Sequence, residues 1–370
     1  MMKATQSLPR YDRSHTYRWN YDHAPDPPVD VDVPPLVGNW TFCGRRVPSP
    51  LGIAAGPLLN GRWILYYAAL GFDVLTYKTT RSRQRDCYPL PNLQPVQPTT
   101  LTKAGRELGA VAQMQGSWAV SFGMPSMPPD VWRADVEWTR ARLEKEKLLS
   151  VSVVASAEPG WSLDDLADDF ARCARWAVES GADCLETNFS CPNVSTCDGQ
   201  LYQQPASAAV VAHRVRDAIG KTPYVIKIGF VSDQLLAEQL LDAVGPFADA
   251  LSMTNCIAAT VQRSDGTALF DGQPRGIGGD SIRAASVAQV LRFANLVRQR
   301  GHSTRIVGVG GVSQAEHVQQ YLDAGTEAVH LATSVMVDPL IGVQIRRQLA
   351  DRLTAAAKAD VERLPRPWSG

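Results

Sequence analysis

The chain lacks several features that would settle a protein's class early. Its 370 residues carry 37 basic and 37 acidic side chains, a formal net charge of +0. That balance gives no electrostatic case for a nucleic acid or an anionic membrane as partner. No apolar run approaches the roughly 20 residues of a membrane helix. The N-terminal stretch MMKATQSLPRYDRSH has no apolar core of a secretory signal, so a cytoplasmic protein is expected. Cysteine is sparse and scattered, with seven residues at 43, 87, 173, 184, 191, 197 and 256. An odd, irregular set is not a disulfide framework, and no C-x-x-C occurs, which excludes a zinc ribbon or a ferredoxin-like cluster. No metal site is predicted. Histidine is rarer still, with six residues at 15, 23, 213, 302, 317 and 330, none placed as the sequence partner of a cysteine nucleophile. No repeat of 20–50 residues is present.

What is present is an alternation of short apolar runs with amphipathic stretches. Residues 1–50 are rich in proline (HAPDPPVDVDVPPL) and read as an extended lead-in packed on the body. Strands are predicted at 51–56, 73–78, 149–155, 183–189, 224–228, 249–254, 305–309 and 328–331. Near-continuous apolar strands separated by helices imply a parallel sheet, and eight such units imply a (β/α)8 TIM barrel over 51–350. Residues 351–370 are a C-terminal tail. Ser162 with Asp165, and Ser313 with Glu316, read as capping boxes, and Gly181 and Gly325 as helix stops. Residues 86–130 and 255–279 are long insertions after strands two and six, on the face where function usually sits.

Barrel chemistry sits at the C-terminal ends of the strands. These ends are small or polar here: Ala54-Ala55-Gly56, Lys78-Thr79, Asn188 to Asn193, Lys227, Thr254-Asn255, Gly310-Gly311 and Ala332-Thr333. The last two pairs suit a phosphate, because glycines let backbone N–H groups approach an anion. Against that stands the plainer reading that they only make tight turns. Lys78 and Lys227 end apolar strands, and burying an ammonium there is costly without an anion. Either could form a Schiff base, hold an electron-rich ring, or simply reach solvent. Cys191, between Ser190 and Pro192, is a loop thiol, and its neighbours Asn188 and Asn193 can hold a polar ring. Taken alone, such a cysteine is more often structural than catalytic.

Together these pieces resemble the dihydroorotate dehydrogenase family, including the flavin barrel of dihydropyrimidine dehydrogenase. NFSCPN looks like the N-x-S-C-P-N signature of the family's soluble, cysteine-base branch. PLGIAAGP, LTYKT, YVIKIG, SMTN and IVGVGGV…AGTEAVHLATSVM follow in the family's order across roughly residues 40–345. The resemblance implies one FMN per barrel. Its phosphate would lie on Gly310, Gly311, Ala332 and Thr333, with Gly278. Ala54, Ala55 and Gly56 would line the ring, and Thr79, Lys227 and Thr254 would touch ring or ribityl chain, with Asn188 alongside. Lys78 would reach both cofactor and substrate. Asn188, Asn193, Asn255 and Cys256, with Gly123 and Met124 of SFGMP, would hold the substrate, a pyrimidine-like cyclic amide. Cys191 would move the proton while hydride passes between substrate and flavin. A homodimer and a separate electron-transfer partner are further implied.

Three departures from the family pattern stand out. Val120 replaces a substrate-binding asparagine, which removes one hydrogen bond to an orotate-like ring. The 255–279 insertion is long and charged, and is expected to reshape the pocket or bind a redox partner. GIGGDSIR differs from the family's usual phosphate-loop wording. The chain lacks the paired N-terminal helices of the quinone-using, serine-base branch, and it has no Rossmann module. Two other readings fit the same barrel: a Schiff-base aldolase or phosphate-binding isomerase using Lys78 or Lys227, and a non-catalytic flavin-binding subunit.

Overall fold

The computed structural model describes residues 8–28, 30–190 and 200–363. Eight strands close into a parallel barrel in simple chain order. They are β1 (Leu51–Ile53), β2 (Val74–Thr80), β3 (Leu148–Val153), β4 (Cys184–Asn188), β5 (Tyr224–Lys227), β6 (Ala250–Met253), β7 (Arg305–Val309) and β8 (Ala328–Leu331). The ring closes where β8 pairs with β1, Leu331 opposite Ile53. Each strand falls on a predicted apolar run, and helices between the strands shield the outer face.

Alternation along the strands sorts side chains into two environments. Tyr224 and Ile226, or Val329 and Leu331, face the helical shell. Val74, Leu148, Cys184, Val225, Ala250, Val307 and Ala328 point inward and form an apolar layer with Phe42 and Val47. Phe42 comes from a short hairpin, Thr41–Phe42 with Arg45–Arg46, in the Pro-rich lead-in. It is 1% exposed and closes the N-terminal end of the barrel. Two residues further along several strands the interior turns polar. Thr76, Ser150, Glu186, Lys227, Ser252 and His330 form this next level, none more than 3% exposed. The interior is therefore apolar below and polar in the middle, and it opens into a cavity above.

The two insertions fold together. Leu93–Pro95, Arg106–Gly109, Ser117–Val120, Ile257–Gln262 and Arg275–Gly279 make one five-stranded sheet. Residues some 150 positions apart pair directly, such as Ala259 with Arg106 and Ile277 with Ala119. Its buried face carries Val96, Leu108, Ala119, Ile257, Val261 and Ile277.

The helix Leu163–Glu179 begins with the predicted reciprocal cap of Ser162 and Asp165. The other predicted cap is not formed. The helix after β7 spans Ala315–Asp323 with Gln314 at its N-cap, and Ser313 lies one residue too early. The Ser313 hydroxyl instead contacts His317 Nδ1 at 3.3 Å. The last helix, Ile341–Arg363, runs through residue 350, so the C-terminal segment starts as helix rather than at a break.

Candidate active site

A cavity of about 330 Å³ opens at the C-terminal ends of the strands. Its lining draws on the barrel, the accessory sheet and the loops after β7 and β8. Ala54, Ala55 and Gly56, Lys78 and Thr79, Asn188, Lys227, Asn255 and Cys256, Gly278, Gly310 and Gly311, and Ala332 and Thr333 all reach it, as do Gly123 and Met124. Thr254 does not. It follows β6, fully buried, and its hydroxyl has no hydrogen-bond partner among the described residues. Cys191 and Asn193 lie outside the described residues.

Each wall has a local cause. On the β1 side Gly56 leaves open space, since a Cβ there would meet no atom within 4 Å. At β2, Lys78 is 6% exposed and its Nζ lies 5.7 Å from the Phe122 ring centroid. Thr79 Oγ1 is 3.0 Å from Ser152 Oγ. At β4, Asn188 is held at both ends: its Oδ1 accepts from Ser190 N at 3.1 Å, and its Nδ2 lies 3.5 Å from Met124 Sδ. Asn255 donates from Nδ2 to the Ser190 carbonyl. These bonds fix both amide planes at the root of the segment that carries Cys191.

Lys227 is not an isolated cation. Its Nζ stands 3.3 Å from Glu186 Oε1, both groups almost wholly buried. Glu186 was missed from sequence, although it sits two residues before Asn188 and so shares its inward face. The same period marks His330 on β8 as inward, and that residue was also missed. At the far end of the cavity, Gly310 and Gly311 have φ of 128° and 67°. A side chain on Gly310 would meet Ser286 Oγ at 2.5 Å, and one on Gly311 would meet Arg283 Cβ at 2.6 Å. Arg283 pairs with Asp280 and donates to the Gly311 carbonyl at 3.1 Å, which places a cation beside the glycine loop. The accessory sheet adds Trp118 and Val120, and the chain just after it adds Phe122, so this wall is apolar.

Comparison with known proteins decides the family. The model of the family described as dihydroorotate dehydrogenase matches residues 38–353. The chain belongs to the dihydroorotate dehydrogenase family. A dihydroorotate dehydrogenase of Dictyostelium discoideum is 30% identical over 325 residues, covering 82% of this chain and 86% of that protein. The catalytic subunit of a dihydroorotate dehydrogenase B (NAD(+)) from Desulforudis audaxviator is 29% identical, over 87% of this chain and 94% of the relative. A dihydroorotate dehydrogenase (quinone) from Leifsonia xyli is 28% identical, over 88% and 86%. The crystal structure of the Eimeria tenella enzyme in complex with ferulenol superposes with a TM-score of 0.68 at 18% identity, covering 86% of this chain and 85% of that one, a likeness of fold.

Members of this family are flavin-dependent dehydrogenases acting on CH–CH bonds. The residues present here fit a flavin nucleotide. Its aromatic body needs a flat apolar wall, and Gly56, Ala54 and Ala55 leave one. Its polar edge needs buried donors and acceptors, and Lys227, Asn188 and His330, whose ring makes no hydrogen bond among the described residues, supply them. Its phosphate needs backbone N–H groups with no Cβ in the way, which Gly310 and Gly311 supply. Among the described residues no helix is long and apolar enough to cross a membrane.

Proposed function

We propose that this protein is an FMN-dependent dehydrogenase of the cysteine-base branch, acting on the CH–CH or C=C bond of a pyrimidine-like cyclic amide. The observation that carries the reading is the convergence of Lys78, Asn188, Asn255 and Lys227 on one cavity that also holds the Gly310-Gly311 and Ala332-Thr333 loops. Oxidising a C–C single bond to C=C removes a hydride from one carbon and a proton from its neighbour, so the ring must be held still between two groups. FMN bound in the cavity supplies the two-electron chemistry.

The chain's own residues do the rest. Asn188, Asn193 and Asn255 hold the ring through its carbonyl and N–H groups, and Gly123, Met124 and Cys256 close around it. Lys78 spans cofactor and substrate. Cys191, three residues after Asn188 in the sequence, takes the proton from the carbon alpha to the ring carbonyl. Gly278, Gly310, Gly311, Ala332 and Thr333 hold the phosphate, while Ala54, Ala55, Gly56, Thr79 and Lys227 surround the rest of the cofactor, with Thr254 buried behind them. Val120 points to a ring other than orotate. The enzyme acts in the cytoplasm as a homodimer and passes its electrons to a separate partner.

The Schiff-base alternative is less well supported, because an ammonium engaged by a carboxylate, as in Lys227 with Glu186, is a poor nucleophile. The test is an anaerobic screen of the purified protein against dihydroorotate, dihydropyrimidines and other cyclic imides. Bleaching of a bound flavin by one of these supports the proposal. A colourless protein that takes up no added FMN would sink it, and borohydride trapping of a substrate imine would favour the aldolase.

A further inference from the structure

His330 is a buried polar group with no hydrogen-bond partner among the described residues. It projects from β8 into the barrel, because Val329 and Leu331 on either side pack outward into the helical shell. Its ring is 2% exposed. From below it is stacked on Phe42, with ring centroids 5.5 Å apart and planes 18° from parallel. Beside it lies Gly52, where a Cβ would come within 2.4 Å of Cδ2 and 2.5 Å of Nε2. The ring is therefore packed on Phe42 at one face and against Gly52 at its Cδ2–Nε2 edge. Yet neither Nδ1 nor Nε2 makes a hydrogen bond to any of the described residues, and the residue lines the cavity.

Such an arrangement is unfavourable unless something completes it. A buried donor or acceptor left unmade costs about 1–3 kcal/mol, and a leucine would fill much the same space without that cost. The charged groups that share the polar middle level are Lys227 and Glu186, and they are paired with each other. Burial, helped by the nearby Lys227 cation, holds the imidazole neutral. A neutral imidazole offers one donor and one acceptor. The matching ligand must bring both kinds of group to the cavity floor. The N–H and C=O edge of a flavin does so.

We propose that His330 is a further cofactor-binding residue, whose ring nitrogens hydrogen-bond the polar edge of the bound FMN beside Lys227. This rests on the FMN reading above. The test uses the full chain, stripped of flavin, as wild type, His330→Leu and His330→Gln. Each is titrated with FMN by quenching of flavin fluorescence, and the flavin-free forms are melted in parallel. His330→Leu is expected to weaken FMN binding about tenfold, the worth of one good hydrogen bond, while the flavin-free variant melts no lower than wild type. His330→Gln, which keeps a donor and an acceptor, is expected to bind within about threefold of wild type. A leucine variant that binds FMN as tightly as wild type would overturn the proposal, and an interior water would then be the ring's partner. A leucine variant that melts lower with unchanged affinity would overturn it too, in favour of a packing role. Should the leucine variant fail to fold, His330→Met replaces it, and the proposal stands only if glutamine retains affinity and methionine does not. Wild type that takes up no FMN would instead count against the cofactor reading itself.

Discussion

Lys227 Nζ and Glu186 Oε1 stand 3.3 Å apart inside the barrel, on adjacent strands, with side chains 4% and 2% exposed. Neither charge could be buried at that depth alone, because the desolvation cost falls on whichever group loses its partner. Lys227→Met is therefore expected to destabilise the protein by about 3–5 kcal/mol, and Glu186→Gln to do comparable damage. The double variant should recover much of that loss. Urea melts of the four proteins at pH 7 check this, and strictly additive losses would show that the pair is not coupled.

Cys191→Ala tests the proton-transfer role. The variant is expected to bind FMN normally and to lose about 10²- to 10⁴-fold in the rate at which substrate reduces the flavin, the usual range for a general base. Anaerobic stopped-flow spectroscopy reads this directly. A rate equal to wild type would remove Cys191 from the mechanism.

Val120 sits on the strand Ser117–Val120 at the cavity wall, paired with Leu93 and Gly276. If its side chain excludes an orotate-like ring by withholding a hydrogen bond, Val120→Asn should raise kcat/KM for dihydroorotate by at least about tenfold, the value of one recovered polar contact in a buried site. Steady-state rates with dihydroorotate before and after substitution decide the point. No gain would place the selectivity elsewhere in the wall.

Gly311 pairs a φ of 67° with a Cβ position 2.6 Å from Arg283 Cβ and 2.9 Å from the Gly279 carbonyl. Gly311→Ala would strain the backbone and push the loop from its seat. We expect FMN affinity to fall at least tenfold, with a stability loss of about 1–3 kcal/mol. Equilibrium dialysis and thermal melting separate the two effects. An alanine variant with wild-type affinity would show that this backbone does not contact the phosphate.

The buried His330 also predicts a pH dependence. Burial lowers its pKa from the ordinary 6.5 to about 3, so the unfolded chain takes up a proton in this window that the folded chain refuses. Stability therefore falls as pH drops below about 6.5 and continues to fall toward 3, by up to about 1.4 kcal/mol per pH unit from this one group. In flavin-free protein, His330→Leu should show a shallower loss over this range than wild type. Parallel slopes in urea melts between pH 6.5 and 4 would contradict the assignment.

The barrel was legible in the sequence because its strands are buried on both faces. Each therefore appears locally as an apolar run such as YVIKI or RIVGV, bounded by turn residues. Most of the cavity lining was legible for a related reason: polar and small residues interrupt those runs at their C-terminal ends, as at Lys78, Asn188, Lys227 and Gly310-Gly311. The accessory sheet was not. Its pairings join Arg106–Gly109 to Ile257–Gln262, and no local period announces a partner about 150 residues away. Nor was the Ser313 cap legible correctly, because the loop after β7 runs one residue further before the helix begins and turns that hydroxyl toward His317. The strand period marks Glu186 and His330 as inward, but not what they meet. That Glu186 meets Lys227, while His330 stacks on Phe42 beside Gly52 and lines the cavity, is decided by how the closed barrel aligns neighbouring strands. By itself, then, the sequence determined the fold class and the residues offered to the site. Tertiary structure decided which buried charges are paired, and which polar ring stands at the cavity without a hydrogen bond among the described residues.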